Sequence, residues 1–116
     1  YVKLSRNVIM LRREHKISLG SGKSKDLEKA IRAQANFNEY VPIGLILLGC
    51  LELNNFNQII IFVSGGLLLA GRFMHARSFL KEEMDVKLRV NGMRCTFWSL
   101  RILAGLNIFA IIMAFV

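Results

Sequence analysis

The sequence predicts an all-α membrane protein, and its composition and charge together lead to that class. Hydrophobic residues make up 53% of its 116 residues, and the mean hydropathy is +0.41. Yet 16 Lys and Arg stand against 8 Asp and Glu, which gives a formal charge of +8. A small soluble domain would leave much of that apolar surface in water, and a disordered chain would have low hydrophobicity. Apolar membrane spans joined by basic connections accommodate both properties.

The first predicted helix covers about residues 1–17, at the start of a single domain that takes in the whole of 1–116. Its mixture of apolar and basic side chains would suit an interfacial amphipathic helix. We favour a different interpretation, in which it is the cytoplasmic end of a first transmembrane helix that is only partly present in this chain.

The second predicted helix runs from about residue 26 to residue 53. Its apolar part, 41–53, is shorter than the ~20 residues needed to span a bilayer, so it must take length from the polar stretch before it. Ser24 is a plausible N-cap, with Asp26 and Glu28 in the first turn. Pro42 is expected to kink this helix rather than end it, because such kinks are tolerated in membranes.

The third and fourth predicted helices cover about 58–80 and 91–116, and the Asn-rich segment 54–57 forms the turn before them. Gly65, Gly66 and Gly71 in the third helix indicate either a close helix packing seam or only the general abundance of glycine in membrane helices. Arg101 and Asn107 are the polar interruptions of the fourth.

Charge placement predicts the topology. Lys and Arg cluster between residues 12 and 32 and again between 72 and 94, whereas the turn at 54–57 has none. By the positive-inside rule both basic connections face the cytoplasm. Both termini then lie on the other side, which requires an even number of spans and favours a four-helix bundle over three helices.

The segment RAQANFNEYVP, residues 32–42, carries polar side chains where the apolar run begins. On a helix Arg32, Asn36, Glu39 and Tyr40 share one face. One interpretation is an interfacial belt, with a snorkelling arginine and a tyrosine at the headgroup level. The other is a binding site, because ionisable groups at a membrane usually face a bundle interior and mark function.

Arginines on the other helices favour the binding-site interpretation over the interfacial belt. Arg72 with His75, and Arg89 on the fourth helix, are expected to approach Arg32 in one cytoplasmic-side zone that contains a single carboxylate, that of Glu39. Such an excess of cations suits an anionic ligand, and an anionic lipid headgroup is the rival occupant. Nucleic acid is not expected, because a duplex backbone cannot reach groups among the spans. With two His and no CxxC or HExxH spacing, we expect no metal site.

Four motifs together give the chain its resemblance to a family. RRxxKIS at 12–18, RAQANFNEYVP, GRFMH at 71–75 and LRVNGM at 88–93 resemble the MAPEG family, the membrane-associated proteins in eicosanoid and glutathione metabolism, and are most similar to its small bacterial members. The resemblance implies a four-transmembrane-helix bundle that forms a homotrimer in the bacterial inner membrane. It also implies glutathione, as co-substrate, between subunits near the cytoplasmic face.

The resemblance also implies roles for individual residues. Arg89 corresponds to the arginine that stabilises the glutathione thiolate and is the catalytic candidate. The resemblance implies that Gln34 approaches glutathione across the subunit interface, although a helix places it well away from Arg32. The implied glutathione-binding residues are Arg32, Gln34, Asn36, Glu39, Tyr40, Arg72, His75, Arg12 and Arg13.

Two departures from the family pattern bear on catalysis rather than binding. Phe79 stands where several relatives carry a tyrosine, and the connection from Phe79 to Arg89 is a few residues longer. The expected function is therefore a glutathione transferase, which could also act as a peroxidase, on a small hydrophobic electrophile that arrives from the membrane lipid. The alternatives are a lipid-binding or scaffold protein of the same fold without turnover, and a structural or headgroup-binding membrane protein unrelated to glutathione.

Overall fold

The computed structural model describes residues 1–79 and 83–114, and all regular secondary structure in these ranges is α-helical. The four helices found there are α1 Val2–His15, α2 Lys25–Leu53, α3 Gln58–Phe79 and α4 Val86–Ala114. α3 packs against α4, both pack against α2, and α1 packs mainly on α2. The predicted all-α class is confirmed. Positions 80, 115 and 116, assigned to helices from the sequence, lie outside the described residues.

α2 is one continuous helix that includes Pro42, and its N-cap is the predicted one. The Ser24 hydroxyl accepts a hydrogen bond from the Leu27 N–H at 3.3 Å, and Asp26 and Glu28 occupy the first turn. This side-chain acceptor and the nearby negative charge both stabilise a helix N-terminus.

α4 begins at Val86, earlier than the predicted start near residue 91. The reason is Asp85, whose carboxylate accepts a hydrogen bond from the Leu88 N–H at 3.0 Å. This cap was not recognised in the sequence. The correction places Arg89 inside the first turn of α4, where the helix determines the position of its side chain.

The distribution of side chains is that of a membrane bundle. α3 and α4 are long and apolar enough to cross a membrane. Among the described residues the interior holds several leucines together with small and polar side chains, including Ser64, Thr96 and Ser99, while other large apolar ones such as Phe62 and Trp98 face outward. Interiors rich in small and hydroxyl residues are typical where lipid, rather than water, surrounds the helices.

Hydrogen bonds from Ser99 and Asn107 join helices inside the bundle. The Ser99 hydroxyl donates to the Ser64 carbonyl at 2.9 Å, which links α4 to α3. The Asn107 amide donates to the Leu47 carbonyl on α2 at 3.0 Å and to the Leu103 carbonyl in its own helix at 2.8 Å. Asn107, an interruption in the apolar run, is therefore satisfied inside the protein.

α3 and α4 approach most closely at Gly71 and Gly92. A Cβ added to Gly71 would lie 2.9 Å from the Gly92 carbonyl oxygen, and one added to Gly92 would lie 2.6 Å from the His75 backbone nitrogen. Of the glycines considered in the sequence, Gly71 lies in the packing seam, whereas a Cβ on Gly66 would meet nothing. The backbones thus touch one residue before Arg72.

Replacing Gly92 with alanine should destabilise the bundle. The new methyl group would meet backbone atoms, which cannot move as a side-chain tip can, and overpacking of this kind costs about 1–3 kcal/mol. Thermal unfolding of the Gly92→Ala protein in detergent micelles, followed by helical circular dichroism, measures the change. Gly105→Ala is the matched control on the same helix, because its Cβ would meet open space. Equal unfolding temperatures for the two variants would contradict the close approach.

Candidate functional site

The best-defined polar cluster surrounds Arg72 on α3, whose side chain is only 3% exposed. Its Nη2 donates to the Asn36 Oδ1 at 2.6 Å, and its guanidinium carbon lies 5.6 Å from the centre of the Tyr40 ring. Its Nη1 lies 3.8 Å from the Met93 sulfur. Asn36 and Tyr40 are one helical turn apart on α2, so the predicted shared face is the one that meets Arg72.

The positive charge of Arg72 is not matched by a carboxylate in contact with it. Within the described ranges its direct partners are an amide oxygen, a ring and a sulfur, and its Nε–H has no hydrogen-bond partner. Glu39, which is exposed, interacts with it electrostatically. A buried charge costs several kcal/mol unless it is paired and hydrogen-bonded (~3–5 where one partner is missing). The unfilled hydrogen-bonding capacity therefore points to a ligand.

His75 lies one turn beyond Arg72 and is 2% exposed. Its Nδ1 is buried without a hydrogen-bond partner, and its ring centre is 5.2 Å from that of Phe79. Arg72 and Arg89 both interact with it electrostatically. The position expected to contact a ligand is therefore buried and carries an unfilled hydrogen-bonding nitrogen.

A second cluster, the basic groove, lies where the starts of α2 and α4 meet the end of α3. Its volume is about 320 Å³. Arg89 lines it, with its guanidinium carbon 5.2 Å from the Phe79 ring centre and its Nη1 3.7 Å from the Met84 sulfur. The groove is lined by Lys25, Glu28, Lys29, Arg32, Phe79, Met84 and Arg89.

Arg32, Arg72 and Arg89 do not all line one cavity, although Arg72 and Arg89 are both close enough to His75 to interact with it electrostatically. Arg32 and Arg89 share the basic groove, but Arg72 lines another cavity. The side chain of Arg72 contacts Asn36 and Tyr40 near the middle of α2, whereas Arg32 lies one turn nearer the start of that helix.

The cavity beside Arg72, the apolar groove, lies between α1, α2 and α3 and has a volume of about 530 Å³. Tyr1 closes one side of it, with its ring 6.1 Å from that of Phe37. Gln34 faces this side too, because its amide donates to the Tyr1 hydroxyl at 3.0 Å. The groove is lined by Tyr1, Lys3, Leu4, Phe37, Leu69, Arg72, Phe73, Ala76 and Arg77.

Arg12 and Arg13 occupy the end of α1. The Arg12 guanidinium donates to three backbone carbonyls of the following turn, the shortest bond being 2.9 Å to Gly20. Lys16 ends the helix in the left-handed conformation, at φ 54°. In this chain Arg12 therefore organises the α1–α2 connection, and Arg13 is exposed beside it.

Sequence reasoning missed several contributors to the site. Met93 and Met84 were not considered, although each places its sulfur against an arginine. Phe79 was noted only for its missing hydroxyl, whereas its ring face holds Arg89. The spacing of Asp85 before Leu88 was the one local signal available, because it is that of an N-cap.

Comparison with known proteins identifies the family. A sequence model of the MAPEG family matches residues 1–109. The chain belongs to the MAPEG family. The inner membrane protein YecN of Escherichia coli strain K12 is 32% identical to it over 107 residues, which cover 92% of this chain and 80% of YecN. YecN of Escherichia coli O6:H1 strain CFT073 matches with the same identity and coverage.

MAPEG membership makes this protein an integral-membrane four-helix bundle, and the expected family is confirmed. Within it, the clusters around Arg72 and Arg89 both lie toward the end of the bundle that carries the α1–α2 and α3–α4 connections, which we call the basic end. The Asn-rich turn lies at the opposite end, where the Asn57 carboxamide oxygen caps α3.

Loss of the Asn36 acceptor should destabilise the protein even without any ligand. Asn36→Ala removes the only side-chain oxygen that accepts from Arg72 among the described residues, and a hydrogen bond to a charged group contributes about 1.5–3 kcal/mol. Chemical unfolding in micelles measures this loss. Asn38→Ala is the matched control, since Asn38 is exposed on the same helix.

In an Arg72→Met background the same Asn36→Ala change should cost much less, because the charge that needs the oxygen is gone. An equal cost in both backgrounds would show that Asn36 acts independently of Arg72.

Proposed function

We propose that this protein is an integral-membrane glutathione transferase of the MAPEG family, which could also reduce peroxides. The observation that carries the proposal is the buried guanidinium of Arg72, which has no carboxylate partner and an unfilled Nε–H. A ligand carboxylate would supply the missing negative charge and acceptor. Glutathione offers two carboxylates, one amino group and a thiol, which suits a site where cations outnumber the nearby carboxylates of Glu39 and Glu28.

A ligand with two separate carboxylates could use both parts of the site. Arg72 would take one carboxylate and Arg32 the other, in the basic groove. Glu39 would pair with the amino group, while Asn36 and Tyr40 orient the ligand through hydrogen bonds. Gln34, His75, Arg12 and Arg13 complete the proposed binding set, with Gln34 acting across the interface between subunits of a homotrimer.

Arg89 would activate the thiol. An unperturbed thiol has a pKa of about 8.5, so only a few per cent of the thiol is ionised at neutral pH. A guanidinium in a low-dielectric groove stabilises the thiolate and lowers that pKa. Glutathione, when bound, supplies the sulfur that forms a bond to the electrophilic carbon as the leaving group departs with its bonding electron pair.

A membrane location suits a hydrophobic electrophile. The apolar groove opens beside Arg72, and its lining includes Leu69 and Phe73, which are exposed on the outside of α3. An apolar molecule dissolved in lipid could therefore reach the site without crossing water. In this proposal the protein lies in the bacterial inner membrane, as the name of YecN suggests, with its basic end in the cytoplasm.

A second candidate is a lipid-binding or scaffold protein of the same fold without turnover. The specific observation in its favour is Phe79, which presents a ring and no hydroxyl beside Arg89. Incubation of the purified protein with glutathione and an aryl halide separates the two. Conjugate formation supports the transferase, and glutathione binding without product supports the second candidate.

Replacing Arg89 should separate catalysis from binding. Arg89→Ala is expected to abolish conjugation and to leave glutathione affinity largely unchanged, because the carboxylates are held elsewhere. Initial rates with an aryl halide and calorimetric titration with glutathione measure the two properties. Arg94→Ala is the control: it removes the same charge from an exposed position on the same helix. Wild-type rates in the Arg89→Ala protein would refute the assignment.

A further inference from the structure

Arg89 is held by uncharged groups. Its guanidinium carbon lies 5.2 Å from the centre of the Phe79 ring, and its Nη1 lies 3.7 Å from the Met84 sulfur. No carboxylate of the described residues forms an ion pair with it, although Glu28 lines the same groove, where it is outnumbered by the cations of Lys25, Lys29, Arg32 and Arg89. A long, flexible cation is thus placed by a ring face and a thioether.

Whether the groups that hold Arg89 are charged or neutral determines how much positive potential a bound anion experiences in the basic groove. A carboxylate partner would hold Arg89 firmly, but its negative charge would cancel most of the field at a nearby anion. The face of an aromatic ring attracts a cation through its quadrupole and carries no net charge. Support by Phe79 therefore fixes the guanidinium without neutralising it.

Phe79 is itself fixed by the best-packed part of the bundle. Its ring lies 5.2 Å from that of His75, which is 2% exposed. The backbone of His75 is in turn pressed against Gly92 of α4, where a Cβ would lie 2.6 Å from the His75 nitrogen. A rigid series of contacts therefore connects the α3–α4 packing seam to the Arg89 guanidinium.

We propose that Phe79 is a positioning residue for thiolate formation, and that its aromatic face keeps the Arg89 guanidinium directed into the basic groove with its charge unneutralised. This inference rests on the proposed role of Arg89 in glutathione activation. In this inference residue 79 must supply an aromatic face and not a hydrogen-bond donor. A phenylalanine, which has no hydroxyl, can therefore serve at this position.

The test is a pH titration of the thiolate absorbance of glutathione bound to the purified protein in micelles. Phe79→Leu keeps an apolar side chain and removes the ring. It should raise the midpoint of thiolate formation and lower the thiolate population at neutral pH by about twofold to tenfold, the range that corresponds to a cation–π contact. Glutathione affinity should change little, because the carboxylate-binding residues are untouched.

Two further variants make the result specific. Phe79→Tyr retains the ring face and should keep the wild-type midpoint. Phe62→Leu removes a phenylalanine from the exposed side of the same helix, 82% exposed, and should also leave the midpoint unchanged. Phe79→Met serves in place of Phe79→Leu if the latter fails to fold, and it should raise the midpoint to a similar extent.

A wild-type midpoint in Phe79→Leu or Phe79→Met would overturn the positioning role. A parallel loss of affinity and thiolate in these variants would also overturn it, since that pattern marks a structural role. If the wild-type protein binds glutathione but forms no thiolate, the proposed role of Arg89 in thiol activation is wrong. The inference about Phe79 is then wrong as well, because it rests on that role. A wild-type thiolate signal that Phe79→Leu does not alter contradicts only the inference.

Discussion

The contact of α3 with α4 at Gly71 and Gly92 is the constraint on which the rest of the site depends. Because neither residue has a side chain, the two backbones meet, and Arg72 and His75 are carried into the interior directly beside the contact. Any larger residue would separate the helices at the level of the site. On the same helix Arg72 contacts Asn36 and Tyr40 of α2, and Phe79 contacts Arg89 of α4.

Arg72 and Arg89 are both held by uncharged groups, but in different surroundings. Arg72 is buried against an amide oxygen, a tyrosine ring and a sulfur, and keeps one N–H unfilled. Arg89 is at the edge of a groove, on a phenylalanine ring and a second sulfur. In neither case does a carboxylate of the described residues form an ion pair with the guanidinium. Their positive potential is therefore available to an anionic ligand, which would stabilise the protein as it binds.

Sequence reasoning predicted the features that depend on local pattern. The helical class, the Ser24 cap and the alignment of Asn36 with Tyr40 all follow from spacing along one helix. The start of α4 was missed because Asp85 follows an acidic stretch that resembles a connection. The separation of Arg72 from Arg32 could not be predicted, because it depends on how α3 is rotated against its neighbours. The same is true of the contact between Phe79 and Arg89, which lie on different helices.

The central claim is that the cations at the basic end form a glutathione site, and calorimetric titration of glutathione into the wild-type protein in micelles tests it most directly. We expect saturable binding that weakens as salt is added, because charged groups supply the attraction. Replacing Arg72 with methionine should weaken that binding strongly. The absence of saturable binding at millimolar glutathione, or binding indifferent to both salt and Arg72, would contradict the account.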